Sequence, residues 1–70
     1  MIKPGLYCHY KGNFYRVIDI AIHSETLEKM VLYREVSKTR KYWVRPLDMF
    51  KEKVKHNGVE MKRFEFVREE

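Results

Sequence analysis

The chain has 70 residues, a length at which a single domain buries only about 60% of the surface that its unfolded form exposes. It has no apolar run near the roughly 18 residues of a membrane span and no secretion signal, and its one cysteine excludes an internal disulfide. These features indicate a cytoplasmic protein, and the net charge of +5 favours an anionic partner or surface.

The N-terminal third of the chain has the pattern of a β-hairpin. Pro4 and Gly5 form a turn signal, because proline restricts φ and glycine accepts positive φ. A short strand is predicted over residues 6–10, followed by a tight turn at residues 11–13. The next strand, over residues 14–23, is rich in β-branched and aromatic side chains. Alternation places its more apolar side chains toward the core, and these are Phe14, Ile18, Ile20 and Ile22.

The middle of the chain predicts a second hairpin. Residues 24–29 form a polar connection, and residues 30–36 form the next strand. A basic loop at residues 37–41 leads to a strand over residues 42–45. That strand ends at Pro46, because proline cannot donate a hydrogen bond to a central ladder.

The C-terminal part predicts one helical turn and a third hairpin. Residues 46–50 begin with a proline and fit a single turn of helix. Strands are predicted over residues 51–56 and 59–67, joined by Asn57-Gly58, which is a strong signal for a type I′ turn. The apolar residues of the last strand alternate imperfectly, which predicts a bulge near residues 62 and 63.

The expected fold is all-β, an SH3-like barrel of five to six short antiparallel strands with one short helical turn. Residues 1–70 are expected to form a single small β-barrel domain. A closed barrel is favoured because it leaves no exposed sheet edge. The alternative is an open antiparallel sheet with the helical turn packed on it.

Several segments in order along the chain resemble the bacterial domain-of-unknown-function family 1653. His-Ser-Glu-Thr at 23–26 and Trp-Val-Arg-Pro at 43–46 are the most specific of these segments. The others are Lys-Gly-Asn-Phe-Tyr-Arg-Val at 11–17, Val-x-Tyr-Arg at 31–34 and Leu-x-Met-Phe at 47–50. The resemblance implies a stand-alone cytoplasmic domain with an SH3-like barrel fold and no assigned biochemical role. It supplies no catalytic or ligand-binding residues to transfer.

The segment from His23 to Thr26 could act as a general base or ligand site, with Glu25 orienting the ring of His23. The same residue types also stabilise turns by bonding to nearby backbone, which is the favoured interpretation. The other soft ligands, Cys8, His9 and His56, lack the paired spacing of zinc sites, and no glycine-rich phosphate loop is present. No catalytic residue, metal site or cofactor is therefore predicted.

Residues 38–55 form a basic stretch that contains three aromatic residues. Cations for phosphates and aromatic planes for bases are the groups that single-stranded nucleic-acid binding needs. The candidate contacts are Lys38, Arg40, Lys41, Lys51, Lys53 and Lys55. The alternative is a solvated basic rim with Trp43 in the core. Since Trp43 and Val44 have opposite parity, one of them is expected to face inward.

Arg45 lies at a strand end, where a guanidinium group is often held by a carboxylate. Glu25 is the expected partner, so His23, Glu25 and Arg45 are predicted to approach one another. This group would either grip an anion or fix the connecting loop.

The sequence favours a non-enzymatic intracellular binding or interaction module of unknown ligand, with a protein or a small anionic molecule as the partner. The hypothetical ligand-binding residues are Tyr15, His23, Glu25, Tyr33, Trp43 and Arg45. The alternative is a single-stranded nucleic-acid-binding barrel that uses the basic face. A small enzyme or metal-dependent site centred on His23 and Glu25 is the less favoured alternative.

Overall fold

A computed structural model describes residues 2–36 and 41–69. Within these residues the chain forms seven strands and one short helix, which confirms the all-β class. The elements are β1 (Gly5–His9), β2 (Phe14–Ile22), β3 (Lys29–Glu35), β4 (Trp43–Pro46), α1 (Leu47–Phe50), β5 (Lys53–His56), β6 (Val59–Lys62) and β7 (Phe64–Arg68). No helix in this part of the chain is long and apolar enough to cross a membrane.

The strands form an antiparallel sheet in the order β4-β3-β2-β1-β7 and a separate β5-β6 hairpin. In the described residues β4 and β7 are the two edges of the larger sheet, so the predicted closure into a barrel is wrong. Among the described strands, β5 and β6 pair only with each other and do not bridge the two edges. The fold therefore corresponds to the open antiparallel alternative, with α1 packed beside β3 and β4.

The predicted third hairpin is present, but its second strand is interrupted. Asn57 and Gly58 have φ values of 52° and 77°, the two positive angles that a type I′ turn requires. The predicted strand over residues 59–67 divides into β6 and β7 at Arg63. The Arg63 backbone donates to the Glu52 carbonyl oxygen and accepts from the Tyr10 N–H, each at 3.0 Å, and its Nη2 lies 2.7 Å from Glu52 Oε1. Arg63 thus joins the start of β7 to the segment before β5.

The inward side chains of β2 differ from the alternation that the sequence predicts. Val17 pairs with Tyr33 and Asp19 pairs with Leu32, so a β-bulge leaves Ile18 without a partner on β3. The extra residue reverses the parity along the strand. Val17 is only 3% exposed, whereas three predicted core residues are exposed: Phe14, Ile18 and Ile22. Ile20 is partly buried and packs against the core as predicted.

The core is an aromatic cluster on one face of the sheet. Phe50 of α1 stacks on Phe64 of β7 with centroids 4.2 Å apart and planes 3° from parallel. Tyr7 of β1 and Tyr33 of β3 meet Phe50 edge to face, each with centroids 5.5 Å apart. Val17 and Val31 complete the buried cluster. The helical turn after Pro46 therefore supplies one of the central residues of the core.

Candidate functional site

Three aromatic side chains and a carboxylate line an open depression over β2, β3 and β4. We call it the aromatic depression; its volume is about 230 Å³ and its lining is Tyr15, Tyr33, Glu35 and Trp43. The register explains the grouping, because Tyr15 lies opposite Glu35 and Tyr33 lies opposite Trp43. Directly opposed residues in a sheet project from the same face. The structure thus brings together three residues of the hypothetical ligand site and adds Glu35, which sequence reasoning missed.

The depression has a buried floor and an exposed wall. Tyr33 is 7% exposed and meets Tyr15 at a centroid distance of 5.6 Å and an interplanar angle of 69°. Trp43 is 50% exposed and Val44 is 57% exposed, so neither enters the core as the sequence predicted. The reason is that β4 is an edge strand, with a neighbour on one side only. The Asn13 side-chain amide donates to Glu35 Oε2 at 3.1 Å and holds the carboxylate in place.

Arg45 lies beside the buried end of this cluster. Its Nε donates to the Tyr33 hydroxyl at 3.5 Å, and its Cζ is 5.8 Å from the centroid of the Phe64 ring. In the part of the chain that the structure describes, Arg45 forms no ion pair with a carboxylate. The contact predicted between Arg45 and Glu25 is therefore not formed, and an aromatic pair takes the place of the carboxylate.

His23 and Glu25 lie in the loop between β2 and β3, where their contacts are local. The backbone N–H groups of Glu25 and Thr26 donate to His23 Nδ1 at 3.1 and 3.3 Å. The His23 backbone pairs with Glu28 and with Leu27, both at 2.8 Å. Leu27 has a positive φ of 62° at the end of this turn. These contacts are those of a turn that the His23 ring holds closed.

A second cavity was not foreseen from the sequence. We call it the lysine-rimmed cleft; its volume is about 380 Å³. Its lining comes from the N-terminal segment, β1, the end of α1, β6 and β7, and consists of Ile2, Lys3, Tyr7, Phe50, Lys51, Lys62, Phe64 and Phe66. No carboxylate is among these residues. Because the lining comes from five separate segments, no local pattern in the sequence could reveal it.

The floor of the cleft is ordered by core contacts. The Tyr7 hydroxyl donates to the Lys3 carbonyl oxygen at 2.7 Å, which joins the N-terminal segment to β1. Burial raises the pKa of Tyr7 above its usual 10.0, while this hydrogen bond acts in the opposite direction. Tyr7 also meets Phe66 edge to face at 5.3 Å, and Lys3 Nζ lies 5.4 Å from the centroid of the Phe66 ring. The floor is therefore aromatic and the rim is cationic.

The lysines suggested for nucleic-acid binding occupy different places. Lys51 lines the lysine-rimmed cleft, as does Lys62 of β6. Lys53 of β5 lies opposite Lys62 in the hairpin. Lys55 is two residues from Lys53 and shares its face of the hairpin. Lys41 is exposed, whereas Lys38 and Arg40 lie outside the described residues. In the described residues no three His, Cys, Asp or Glu side chains gather as metal ligands do.

Comparison with known proteins agrees with the resemblance noted in the sequence. The family model described as "Protein of unknown function (DUF1653)" matches residues 5–66. The chain belongs to DUF1653. A crystal structure of a protein belonging to DUF1653 from Bordetella bronchiseptica superposes with a TM-score of 0.89 at 30% sequence identity, covering 97% of this chain and 90% of that chain. No curated protein matches the chain. Membership of DUF1653 assigns no activity, so function has to be inferred from the residues themselves.

Proposed function

We propose that this DUF1653 chain is a non-enzymatic binding module that takes an anionic ligand with an apolar body into the lysine-rimmed cleft. The observation that carries the proposal is the cleft itself, an aromatic floor bounded by Lys3, Lys51 and Lys62. Small-molecule sites have volumes of roughly 300–1,000 Å³ and apolar linings with a few polar groups. The volume of about 380 Å³ falls within that range.

The charge of the rim determines the class of ligand. Three ammonium groups attract an anion, and no carboxylate among the described lining residues competes for them. Lysine stems can add apolar surface while their charged ends stay hydrated, and Lys3 Nζ lies 5.4 Å from the centroid of the Phe66 ring. An aryl or alkyl group bearing a carboxylate, sulfonate or phosphate fits both parts of the site. We propose further that residues 1–70 act as a single domain in the cytoplasm. The free thiol of Cys8 is compatible with a reducing compartment of this kind.

Two related dyes test the proposal. We expect 8-anilinonaphthalene-1-sulfonate to bind more tightly than the neutral N-phenyl-1-naphthylamine, which lacks the sulfonate. Amide chemical shifts in ¹⁵N spectra should change first at Ile2, Tyr7 and Phe66. The double variant Lys51→Gln/Lys62→Gln should weaken binding of the anionic dye by about tenfold, since two charge contacts are lost.

The control is Lys55→Gln, which removes one positive charge by the same substitution at a position outside the lining. It should leave the affinity for the anionic dye within about twofold of wild type. Equal binding of the two dyes, or an unchanged affinity in the double variant, would contradict the proposal.

Single-stranded nucleic acid is the second candidate ligand. The observation that favours it is the continuity of the cleft rim with the hairpin, since Lys62 lies opposite Lys53. The exposed aromatic residues that bases would stack on, Tyr42 and Trp43, lie on and beside β4 rather than on that hairpin. Phosphate attraction is therefore supported more strongly than base stacking.

A further inference from the structure

We propose that the aromatic depression binds the head group of an alkylated ammonium cation, such as a trimethylammonium group. This site differs from the lysine-rimmed cleft in position, lining and charge, and the inference does not rest on the proposed function. Tyr15, Tyr33 and Trp43 supply the aromatic surface, and Glu35 supplies the negative charge.

The ring arrangement suits a cation. The rings of Tyr15 and Tyr33 meet at 69°, so the Tyr15 ring stands at an angle to the Tyr33 floor instead of stacking flat on it. Trp43 lies directly across from Tyr33 and adds an exposed wall. The face of each ring carries negative potential, and tryptophan and tyrosine attract cations more strongly than phenylalanine does. Recognition of quaternary ammonium groups by several such rings is a recurrent use of this interaction.

Glu35 gives the aromatic depression its negative charge. It lies opposite Tyr15 in the sheet register and is only partly exposed, so solvent screens its charge less than that of a free surface carboxylate. The Asn13 amide donates a hydrogen bond to Oε2, which fixes the carboxylate beside the rings. An ordered carboxylate beside three rings provides two attractions for an organic cation, one to the negative charge of Glu35 and one to the faces of the rings.

The size of the depression limits what it can hold. Its volume of about 230 Å³ lies below the range of drug-sized ligand sites, so it suits one head group and not a large molecule. Half of the Trp43 surface is exposed, so the rest of a ligand can extend into solvent. Free choline and a trimethylated lysine side chain share the required chemistry.

Arg45 shows that neighbouring rings already accept a cation. Its guanidinium lies over the Phe64 ring and donates to the hydroxyl of Tyr33. It is not among the residues that line the depression. Its charge opposes a second cation nearby, so Glu35 is expected to be indispensable for binding.

The single tryptophan of the chain serves as the reporter. Choline chloride is titrated at constant ionic strength against sodium chloride, and the fluorescence of Trp43 is followed. We expect saturable quenching, with amide shift changes at Tyr15, Glu35 and Trp43. The neutral isostere 3,3-dimethyl-1-butanol has the same shape without the charge and should bind at least about fivefold more weakly. A peptide with trimethyllysine, compared with its unmodified form, distinguishes a protein partner from a free small molecule.

Glu35→Gln keeps the side-chain shape and removes the charge, so affinity for choline should fall about fivefold or more. Glu28→Gln, at an exposed loop position, removes the same charge outside the depression and should leave the affinity unchanged. The absence of saturable quenching by both choline and the trimethyllysine peptide would overturn the inference. Equal binding of the neutral isostere or an unaffected Glu35→Gln variant would also overturn it. Shift changes at Ile2 and Phe66 report the cleft separately, so failure at one site is distinguishable from failure at the other.

Discussion

At the scale of single residues, His9 is a titratable group whose environment changes its chemistry. Its ring meets Phe64 at a centroid distance of 4.9 Å, and its Nδ1 accepts a hydrogen bond from the Lys11 N–H at 3.2 Å. Burial lowers the pKa of His9 below its usual 6.5, and the charges of Arg63, Lys11 and Arg45 lower it further. Protonation would also remove the acceptor that holds the turn after β1.

We expect this lowered pKa to make the domain less stable in mild acid. In the unfolded chain His9 binds a proton near pH 6.5, whereas in the folded chain it binds one only at a lower pH. The free energy of unfolding therefore decreases as the pH falls below 6.5. The contribution of His9 is fully present above pH 6.5 and is lost as the pH falls toward the lower pKa of the folded state.

Urea unfolding at pH 7.5 and pH 5.5 measures the effect of the histidine on stability. The stability lost between the two pH values should be smaller in His9→Gln than in wild type. His56→Gln, which replaces an exposed ring, is the control and should lose as much as wild type. An identical loss in all three proteins would show that His9 does not couple folding to pH.

At the scale of elements, the bulge in β2 determines which side chains reach the core. The two residue steps of β3 from Tyr33 to Val31 face three residue steps of β2 from Val17 to Ile20. Val17 and Ile20 can both face inward only because of the extra residue. Without the bulge, strict alternation would place one of the two in solvent.

Neighbouring substitutions on β2 test this register. Val17→Ala should destabilise the domain by about 2 kcal/mol, because it removes methyl groups from the buried cluster. Ile18→Ala removes more carbon but should cost less than about 1 kcal/mol, since Ile18 is at the surface. Chemical denaturation gives both values. A larger cost at Ile18 than at Val17 would mean that the register is the one predicted by alternation.

At the scale of the whole molecule, the charges are distributed unevenly over an open sheet and a separate hairpin. The hairpin face with Lys53, Lys55 and Lys62 continues the cationic rim of the cleft. Within the described register of the hairpin, the acidic residue opposite these lysines is Glu60, which pairs with Lys55. A polyanion would meet this face first.

Single-stranded DNA should accordingly bind weakly and with a strong dependence on salt. Contact with three phosphates predicts that the logarithm of the binding constant falls by about 2 for each tenfold rise in salt. Fluorescence anisotropy of a labelled oligonucleotide at low and physiological salt measures this slope. Lys53→Glu should weaken binding, whereas Lys29→Glu, on β3, should change it little. Absence of binding at low salt would exclude the nucleic-acid candidate.

The sequence by itself determined those features that depend on neighbouring residues. The strand positions, the turn at Asn57-Gly58 and the helical turn after Pro46 follow from local backbone preferences, and the family follows from short motifs. It also offered Tyr15, Tyr33 and Trp43 among the hypothetical ligand-binding residues.

Only the tertiary structure decided how these elements combine. The bulge at Ile18 arises from the pairing of β2 with β3, and pairing between strands leaves no trace in the alternation of one strand. The same holds for the open sheet, for Glu35 as the fourth member of the aromatic depression, and for the cleft assembled from five segments. Each depends on contacts between residues that are distant along the chain, and a single sequence carries no direct signal of those contacts.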